Sequence, residues 1–321
     1  MDLSVLLITF NNEKHIEDTL NSILKQNCTF GYEIVVGDDC SSDNTLEIIN
    51  SYNSKHPGIF NIKKNNSQLG ILKNFKATLD RCQGTYIFDI AGDDILKSDT
   101  AFEKMITVLK SNSDLGFVDS GYDKLYDDSN KTEFFVNKKS IVAEKQIYKE
   151  LLFLGKIIPV GICYSRKLLY KHVDFGYFIE QNITIEDYPI LVNLATNSDF
   201  ERINESLHVY RIHKTSDSYR THFEKVFFFR NQMLKLFNHF KSKYNFSPSI
   251  IKTYEQTYYK TVLFYAGTYQ KKDLGKEMFK KIESKNIYDI IHYLASQYKI
   301  VRKLAKMRKF KNALLKKLGL I

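Results

Sequence analysis

Two pairs of adjacent acids, Asp38-Asp39 and Asp93-Asp94, each end a strand-like apolar run and precede a helical pattern. Neighbouring carboxylates repel, so such pairs call for a neutraliser, and a divalent cation with the diphosphate it bridges suits oxygen-only donors. A third pair, Glu186-Asp187, opens an apolar helical segment, and Arg211-Ile212-His213 follows the last strand-like run. A carboxylate such as Asp187 can take a proton as general base. Arg211 can pair with phosphate bidentately, and His213 can ligate a metal or bond a departing diphosphate. On residue types alone each acid also has a plain reading. Asp38 and Asp39 could cap the next helix, Asp93 and Asp94 could be a solvated turn, and Asp187 could be a helix N-terminal acid held by the macrodipole.

The elements that must carry these residues alternate. Leu3–Thr9, Tyr32–Gly37, Ile59–Lys63 and Thr85–Ile90 read as strands, and Glu13–Gln26, Asp43–Asn53, Leu72–Cys82 and Thr100–Asn112 as helices. Near-continuous apolar strands between helices of 3.6-residue periodicity predict an α/β fold with a mostly parallel sheet covered on both faces. Both acidic pairs then emerge at the carboxyl edge, where open α/β sheets bind ligands. Leu115–Tyr126 and Glu133–Asn137 read as strands, Glu144–Leu154 as a helix, Ile158–Ser165 as a strand, Ile183–Asn197 as the segment carrying Glu186-Asp187, and Glu205–Tyr210 as the last strand. Beyond about Ser218 the pattern turns helical and rich in aromatic residues and lysine, with helices expected over Thr221–Phe240, Ser249–Gln270, Asp273–Ser284 and, unbroken, Ile287–Leu318. Residues 1–217 and 218–321 are thus expected to form an α/β domain and a helical C-terminal region.

The chain of 321 residues is 43% hydrophobic, enough for a sizeable core. Its four cysteines lack Cys-x-x-Cys spacing, which argues against a zinc knuckle or a disulfide scaffold and favours a reducing cytoplasm. Met1–Phe10 reads as a strand rather than a signal peptide, and no uncharged run is long enough to span a bilayer. The net charge of +10 is concentrated: Lys299–Ile321 holds nine bases and no acid, leaving one net positive charge for the other 298 residues. With no aromatic and basic platform beside it, this asymmetry does not suggest nucleic acid.

The ordered motifs Ser4-Val5-Leu6-Leu7-Ile8-Thr9-Phe10-Asn11, Asp38-Asp39-Cys40-Ser41, Gly84-Thr85-Tyr86-Ile87 with Ala91-Gly92-Asp93-Asp94, Glu186-Asp187 and Arg211-Ile212-His213 resemble, over roughly residues 1–215, the inverting glycosyltransferases of family 2. The resemblance implies a GT-A fold, a nucleotide-sugar-binding Rossmann-like domain. It also implies that Thr9, Asn11 and Glu13 help seat the nucleotide, and that Asp39 accepts a hydrogen bond from the base, a role a carboxylate can play toward a uracil imide N–H. Asp93 would lie near the ribose and Asp94 on Mn²⁺ or Mg²⁺. The position two before Asp93, often acidic in relatives, is Ala91 here, which leaves Asp94 as the main ligand. Asp187 would be the general base, with Glu186 and Arg211 on the phosphate or acceptor side, His213 a candidate metal ligand, and Lys73 facing the donor. Ile158-Pro159-Val160-Gly161 would border the acceptor pocket. His15, His56 and His172 belong to no motif and read as surface residues.

The expected activity is transfer of a hexosyl or N-acetylhexosaminyl group from a nucleotide sugar, UDP-linked, to a glycan or lipid-linked acceptor in bacterial surface polysaccharide synthesis such as capsule or lipopolysaccharide. Two alternatives stand beside it. A sugar-phosphate nucleotidyltransferase would need a Gly-rich, basic phosphate loop near the first strand, which Thr9 to Glu13 does not offer, and a silent scaffold would not need acids at all three motif sites. In the tail, Ile300, Val301, Leu304, Ala305, Leu314, Leu315 and Leu318 recur at near-helical intervals among the bases. That arrangement fits a helix on an anionic membrane surface and a peripheral location at the inner face of the cell membrane, or else a solvated helix packed through its apolar stripe.

Overall fold

The computed structural model describes residues 1–127, 131–133, 145–213 and 222–303. They belong to two compact units, Met1–Tyr219 and Arg220–Ile321. The first runs β1 (Leu3–Thr9), α1 (Ile16–Leu24), β2 (Tyr32–Asp38), α2 (Thr45–Lys55), β3 (Phe60–Lys64), α3 (Ile71–Leu79), β4 (Tyr86–Ala91), β5 (Ile95–Leu96), α4 (Ala101–Ser111), β6 (Leu115–Tyr126), β7 (Lys131–Glu133), α5 (Lys145–Phe153), β8 (Ile162–Ser165), α6 (Arg166–His172), α7 (Phe175–Glu180), α8 (Asp187–Asn197) and β9 (Asp199–Ile212).

These strands form one sheet in the order β3-β2-β1-β4-β8-β6-β9-β5, with β7 on the flank of β6. The β3-β2-β1-β4 half is parallel, as continuous apolar strands joined by helices require. On one face Leu3, Val5 and Leu7 of β1 and Phe88 and Ile90 of β4 pack with Ile16, Leu20 and Ile23 of α1 and Phe102 and Met105 of α4. α3 lies so close to β2 that a Cβ on Gly37 would sit 1.9 Å from Thr78 Oγ1, and Asn74 Nδ2 donates to the Gly37 carbonyl at 2.8 Å. The register aligns Thr9 with Asp38 and Ile8 with Ala91, so the carboxyl ends of β1, β2 and β4 share one edge.

The remaining half departs from the expected strands. β8 begins only at Ile162, because Pro159 has no N–H to give a ladder and Gly161 turns at φ +62°. α6 and α7 are additional short helices, too brief to show a period. β9 is longer than expected, since its pairing with β6 absorbs a register shift between Ser120 and Gly121 and so outruns simple alternation. Of the expected strand Glu133–Asn137 only Glu133 is described, as the last residue of β7, and 134–137 lie outside the described residues. His208 of β9 is buried at 1% exposure beside Phe88, with no hydrogen-bond partner for either ring nitrogen among the described residues, and burial pushes its pKa down to about 3. A Cβ on Gly161 would strike that ring at 2.6 Å, so the bend before β8 can pass over His208 only as glycine.

The second unit contains α9 (Phe223–Lys243), α10 (Pro248–Tyr269), α11 (Lys272–Lys281) and α12 (Ile287–Gln297). Val262, Leu263, Met278 and Ile282 form its described apolar core. Ser247 caps α10 ahead of Pro248, and Asn286 with Asp289 forms a capping box on α12. The expected single helix over Ile287–Leu318 is interrupted: Tyr298 takes φ −122° and ψ 124°, and helical structure resumes at once over 299–303. Apolar spacing continues across the break, so periodicity alone could not register it. The tail from residue 304 lies outside the described residues.

Candidate active site

Two loops clasp each other at the carboxyl ends of β1 and β2. The backbone N–H groups of Asn11, Asn12 and Glu13 donate to Ser41 Oγ, Thr45 Oγ1 and Asp43 Oδ2 at 2.9, 2.8 and 3.0 Å. In return Asn11 Oδ1 accepts from Ser42 N and Glu13 Oε2 accepts from Asn44 N. Asn11 holds φ +52°, a left-handed conformation that asparagine tolerates better than most residues. Thr9 is buried, accepts from Asn12 Nδ2, and lies so near Gly92 that a Cβ there would come within 2.6 Å of its hydroxyl. Asn11 and Glu13 are therefore parts of the clasp itself.

Asp39 is buried and accepts three hydrogen bonds, from Leu69 N and Asn65 Nδ2 on Oδ1 and from Gly70 N on Oδ2. It fixes the turn before α3, and only Oδ2 keeps a spare lone pair. Asp38 accepts from Ser41 N through Oδ1, while its Oδ2 is buried without a partner among the described residues. Lys73 is exposed on α3, and its neighbour Asn74 is pinned between Asn65 and Gly37.

Asp93 and Asp94 occupy the turn between β4 and β5, and β5 pairs with β9, which brings Arg211 and His213 over them. Arg211 donates its backbone N–H to Asp94 Oδ1 at 3.0 Å and its Nε–H to the Asp93 carbonyl at 3.0 Å. Its guanidinium also reaches Asp127 at 3.0 Å and Asp18 at 2.7 Å. His213 Nε2 meets Asp93 Oδ2 at 2.8 Å. His15 lies against His213 with ring centroids 4.6 Å apart and the planes tilted by 46°, and it is 3.3 Å from Asp127. His15 is thus buried rather than a surface residue, and burial followed by the Arg211 charge lowers its pKa. Burial and then the Asp93 charge hold the Asp94 carboxyl well above the usual range, which the Arg211 N–H and guanidinium oppose. Asp94 Oδ2 and Asp93 Oδ1 have no hydrogen-bond partner among the described residues. Two unclaimed carboxylate oxygens, in surroundings that disfavour the charge of Asp94, fit a hard divalent cation.

Glu186 and Asp187 are half-buried at the start of α8, Glu186 at its N-cap and Asp187 in the first turn. The Tyr188 N–H donates to Asp187 Oδ1. Asp187 is close enough to Asp89 of β4 to raise its pKa: burial first, then the Asp187 charge, pushes Asp89 up to about 7. The structure therefore gathers Asp93, Asp94, Arg211 and His213 into one cluster, links Asp187 to that region through Asp89, and leaves Lys73 on an exposed helix face. Asp18, Asp89 and Asp127 went unnoticed in the sequence, and His15 was read as a surface residue. An acid inside the apolar run Tyr86 to Ala91 was the available signal for Asp89. The others had none, because their meeting depends on the return of β9.

Comparison with known proteins bears on the family and the fold. A family model described as Glycosyl transferase family 2 matches residues 4–172. An uncharacterized protein of Mycobacterium tuberculosis is 22% identical over 211 residues, 66% of this chain, and the match spans 59% of that protein's length. Poly(ribitol-phosphate) beta-N-acetylglucosaminyltransferase TarS of Staphylococcus aureus is 31% identical over 117 residues, 36% of this chain and 20% of that protein. The crystal structure of its residues 1–349 with UDP-GlcNAc aligns at TM-score 0.51 and 15% identity, covering 96% of this chain and 92% of that one. The mannosyltransferase PcManGT of Pyrobaculum calidifontis, in complex with GDP-Man and Mn²⁺, aligns at TM-score 0.57 and 13% identity, covering 96% and 84%. At these identities the structural likenesses establish the fold.

Proposed function

This chain belongs to glycosyl transferase family 2, and from that premise we propose an inverting, divalent-metal-dependent transferase that moves a sugar from a UDP-linked donor to a hydroxyl of a glycan or lipid-linked acceptor in surface polysaccharide synthesis. The observation that carries this reading is the pair of unclaimed oxygens on Asp93 and Asp94 beside Arg211 at the sheet edge, and the charge of Asp187 acting on Asp89 of the same strand supports it. In the proposed step an acceptor oxygen attacks the anomeric carbon and its proton passes to the Asp187 carboxylate. The bond from that carbon to the diphosphate oxygen breaks, and its electron pair leaves with the nucleoside diphosphate. A bound Mn²⁺ or Mg²⁺ would supply charge neutralisation for that leaving group. Asp94 and Asp93 would hold the ion, and His213, already 2.8 Å from Asp93, would orient Asp93 or join the ion. Arg211 acts by holding the acidic turn in place, since its guanidinium is engaged by Asp18, Asp127 and the Asp93 carbonyl. Thr9, Asn11 and Glu13 shape the nucleotide side through the loop clasp and Asp39 through the turn before α3, with Glu186 near the acceptor and Lys73 toward the donor.

Titration calorimetry with UDP tests the metal role. UDP should bind far more tightly with Mn²⁺ or Mg²⁺ than with EDTA, GDP should gain less, and Asp94→Asn should abolish most of the metal-dependent gain. Equal UDP affinity with and without metal would overturn the assignment.

The basic tail 299–321 is proposed to hold the enzyme at an anionic membrane surface facing the cytoplasm. Among the described residues no helix is long and apolar enough to cross a membrane, and each base near such a surface contributes on the order of 1 kcal/mol. Deleting 299–321 should release the protein from anionic vesicles in co-sedimentation and leave transfer to a soluble acceptor unchanged. Equal pelleting of both forms would mark the tail as a packed structural segment.

A further inference from the structure

Asp89 is the lone acid in β4, a central strand otherwise built from Tyr86, Ile87, Phe88, Ile90 and Ala91. It pairs through the backbone with Leu6 of β1 on one side and Ile162 of β8 on the other. Among the described residues no group donates a hydrogen bond to its carboxylate or forms an ion pair with it. Its side chain is only half-buried although β4 is a central strand, and nothing in the packing of the sheet requires an acid here. An aliphatic side chain would satisfy the strand better, so the fold alone does not account for Asp89.

Its position does suggest an account. Side chains alternate across a strand, so Asp89 shares a face with Ala91 and stands about 7 Å back along the strand from the end that leads into Asp93-Asp94. Its charge acts on Asp94, and the charge of Asp187 acts on it. If Asp94 marks the diphosphate end of the site and Asp187 the end where the acceptor hydroxyl is deprotonated, the transferred sugar ring must lie between them. In-line displacement puts the attacking and leaving oxygens on opposite faces of one carbon. Asp89, half-buried on the strand that leads into the acidic turn and on the same face as Ala91, is placed to meet that ring.

We propose that Asp89 is a sugar-recognising residue, whose carboxylate accepts hydrogen bonds from hydroxyls of the donor sugar between Asp94 and Asp187. This assignment rests on the reading of Asp187 as base and Asp94 as the diphosphate-side acid. Once ionised, a carboxylate accepts hydrogen bonds and offers none, and hydroxyls donating to it favour that ionised form, so its complement is a group rich in O–H donors. The sugar hydroxyls supply the donors that the protein withholds, and the bare nucleotide, which ends at the diphosphate, does not reach it.

The test uses the full chain with Asp89→Asn and Asp89→Leu. UDP is compared with UDP-glucose, UDP-galactose, UDP-N-acetylglucosamine and GDP-mannose, all with Mn²⁺, and the nucleotide sugar that binds wild type most tightly serves as probe. Asp89→Leu should weaken the probe about 10–100-fold, the usual worth of a charge-assisted hydrogen bond, and leave UDP within about twofold of wild type. Asp89→Asn should lose less, because the amide oxygen still accepts. Both variants should melt at or above the wild-type temperature, which separates lost recognition from lost folding. Parallel weakening of UDP and probe, or wild-type probe affinity in Asp89→Leu, would overturn the proposal. Asp187→Asn with normal turnover would remove the base assignment and leave a selective loss of probe binding in Asp89→Leu standing, so the two readings fail separately.

Discussion

Asp187→Asn should lower turnover by roughly 10²–10⁴-fold, the usual worth of a positioned general base, while nucleotide-sugar affinity stays near wild type. The exchange is nearly isosteric, and the amide oxygen can still accept from the Tyr188 N–H that Asp187 Oδ1 now binds. The α8 N-terminus thus keeps its geometry, while the group able to receive the acceptor proton is gone. Steady-state transfer to the true acceptor, with donor affinity measured separately by calorimetry, checks both halves. If the variant transfers at near wild-type rate, Asp187 serves only the helix terminus.

Arg211→Met should be the most destabilising single change at the site, at about 3 kcal/mol, the lower end of what breaking a buried ion pair costs. The lower end applies because Asp18 is 57% exposed and Asp127 29%, so both can recover hydration, whereas the Arg211 side chain is only 8% exposed. For a unit of this size that corresponds to a fall in Tm of roughly 6–12 °C. Metal-dependent UDP binding should fall with it, since the Arg211 charge opposes the upward shift of the Asp94 carboxyl. Arg211→Lys should recover only part of either loss, because a point charge cannot span Asp18, Asp127 and the Asp93 carbonyl as the planar fork does. A calorimetric scan showing no change in Tm for Arg211→Met would rule out this anchoring role.

The parallel half of the sheet was legible because each element obeys a local rule: two-sided burial makes β1, β2 and β4 continuous apolar runs, and the intervening helices carry a clear 3.6-residue stripe. The acidic motifs were legible for the same reason, as polar interruptions where those runs end. What the sequence hid was long-range. His15 had no local feature to set it apart from a surface histidine, and its burial arises only when β9 delivers His213 against it. Arg211 invited a phosphate-binding role because an arginine beside a histidine suggests an anion, yet its donors are spent on Asp18, Asp127 and the Asp93 carbonyl. The break at Tyr298 was invisible because apolar spacing reports which face is buried, not whether the axis continues.

The span between Asp94 and Arg211, 117 residues, also has a consequence in time. At ordinary synthesis rates of about 5–20 residues per second, the acidic turn leaves the ribosome roughly 6–23 s before its arginine is made. During that interval the β3-β2-β1-β4 half can already form, since all its strands lie within the first 91 residues. The nascent chain therefore presents two neighbouring carboxylates at a finished sheet edge with nothing yet built to restrain them. A divalent cation captured at that stage would be held by protein oxygens alone, and the arrival of β9 would convert a loose ion trap into an ordered turn. A fragment ending at residue 172, where the family match stops, would never leave that first state.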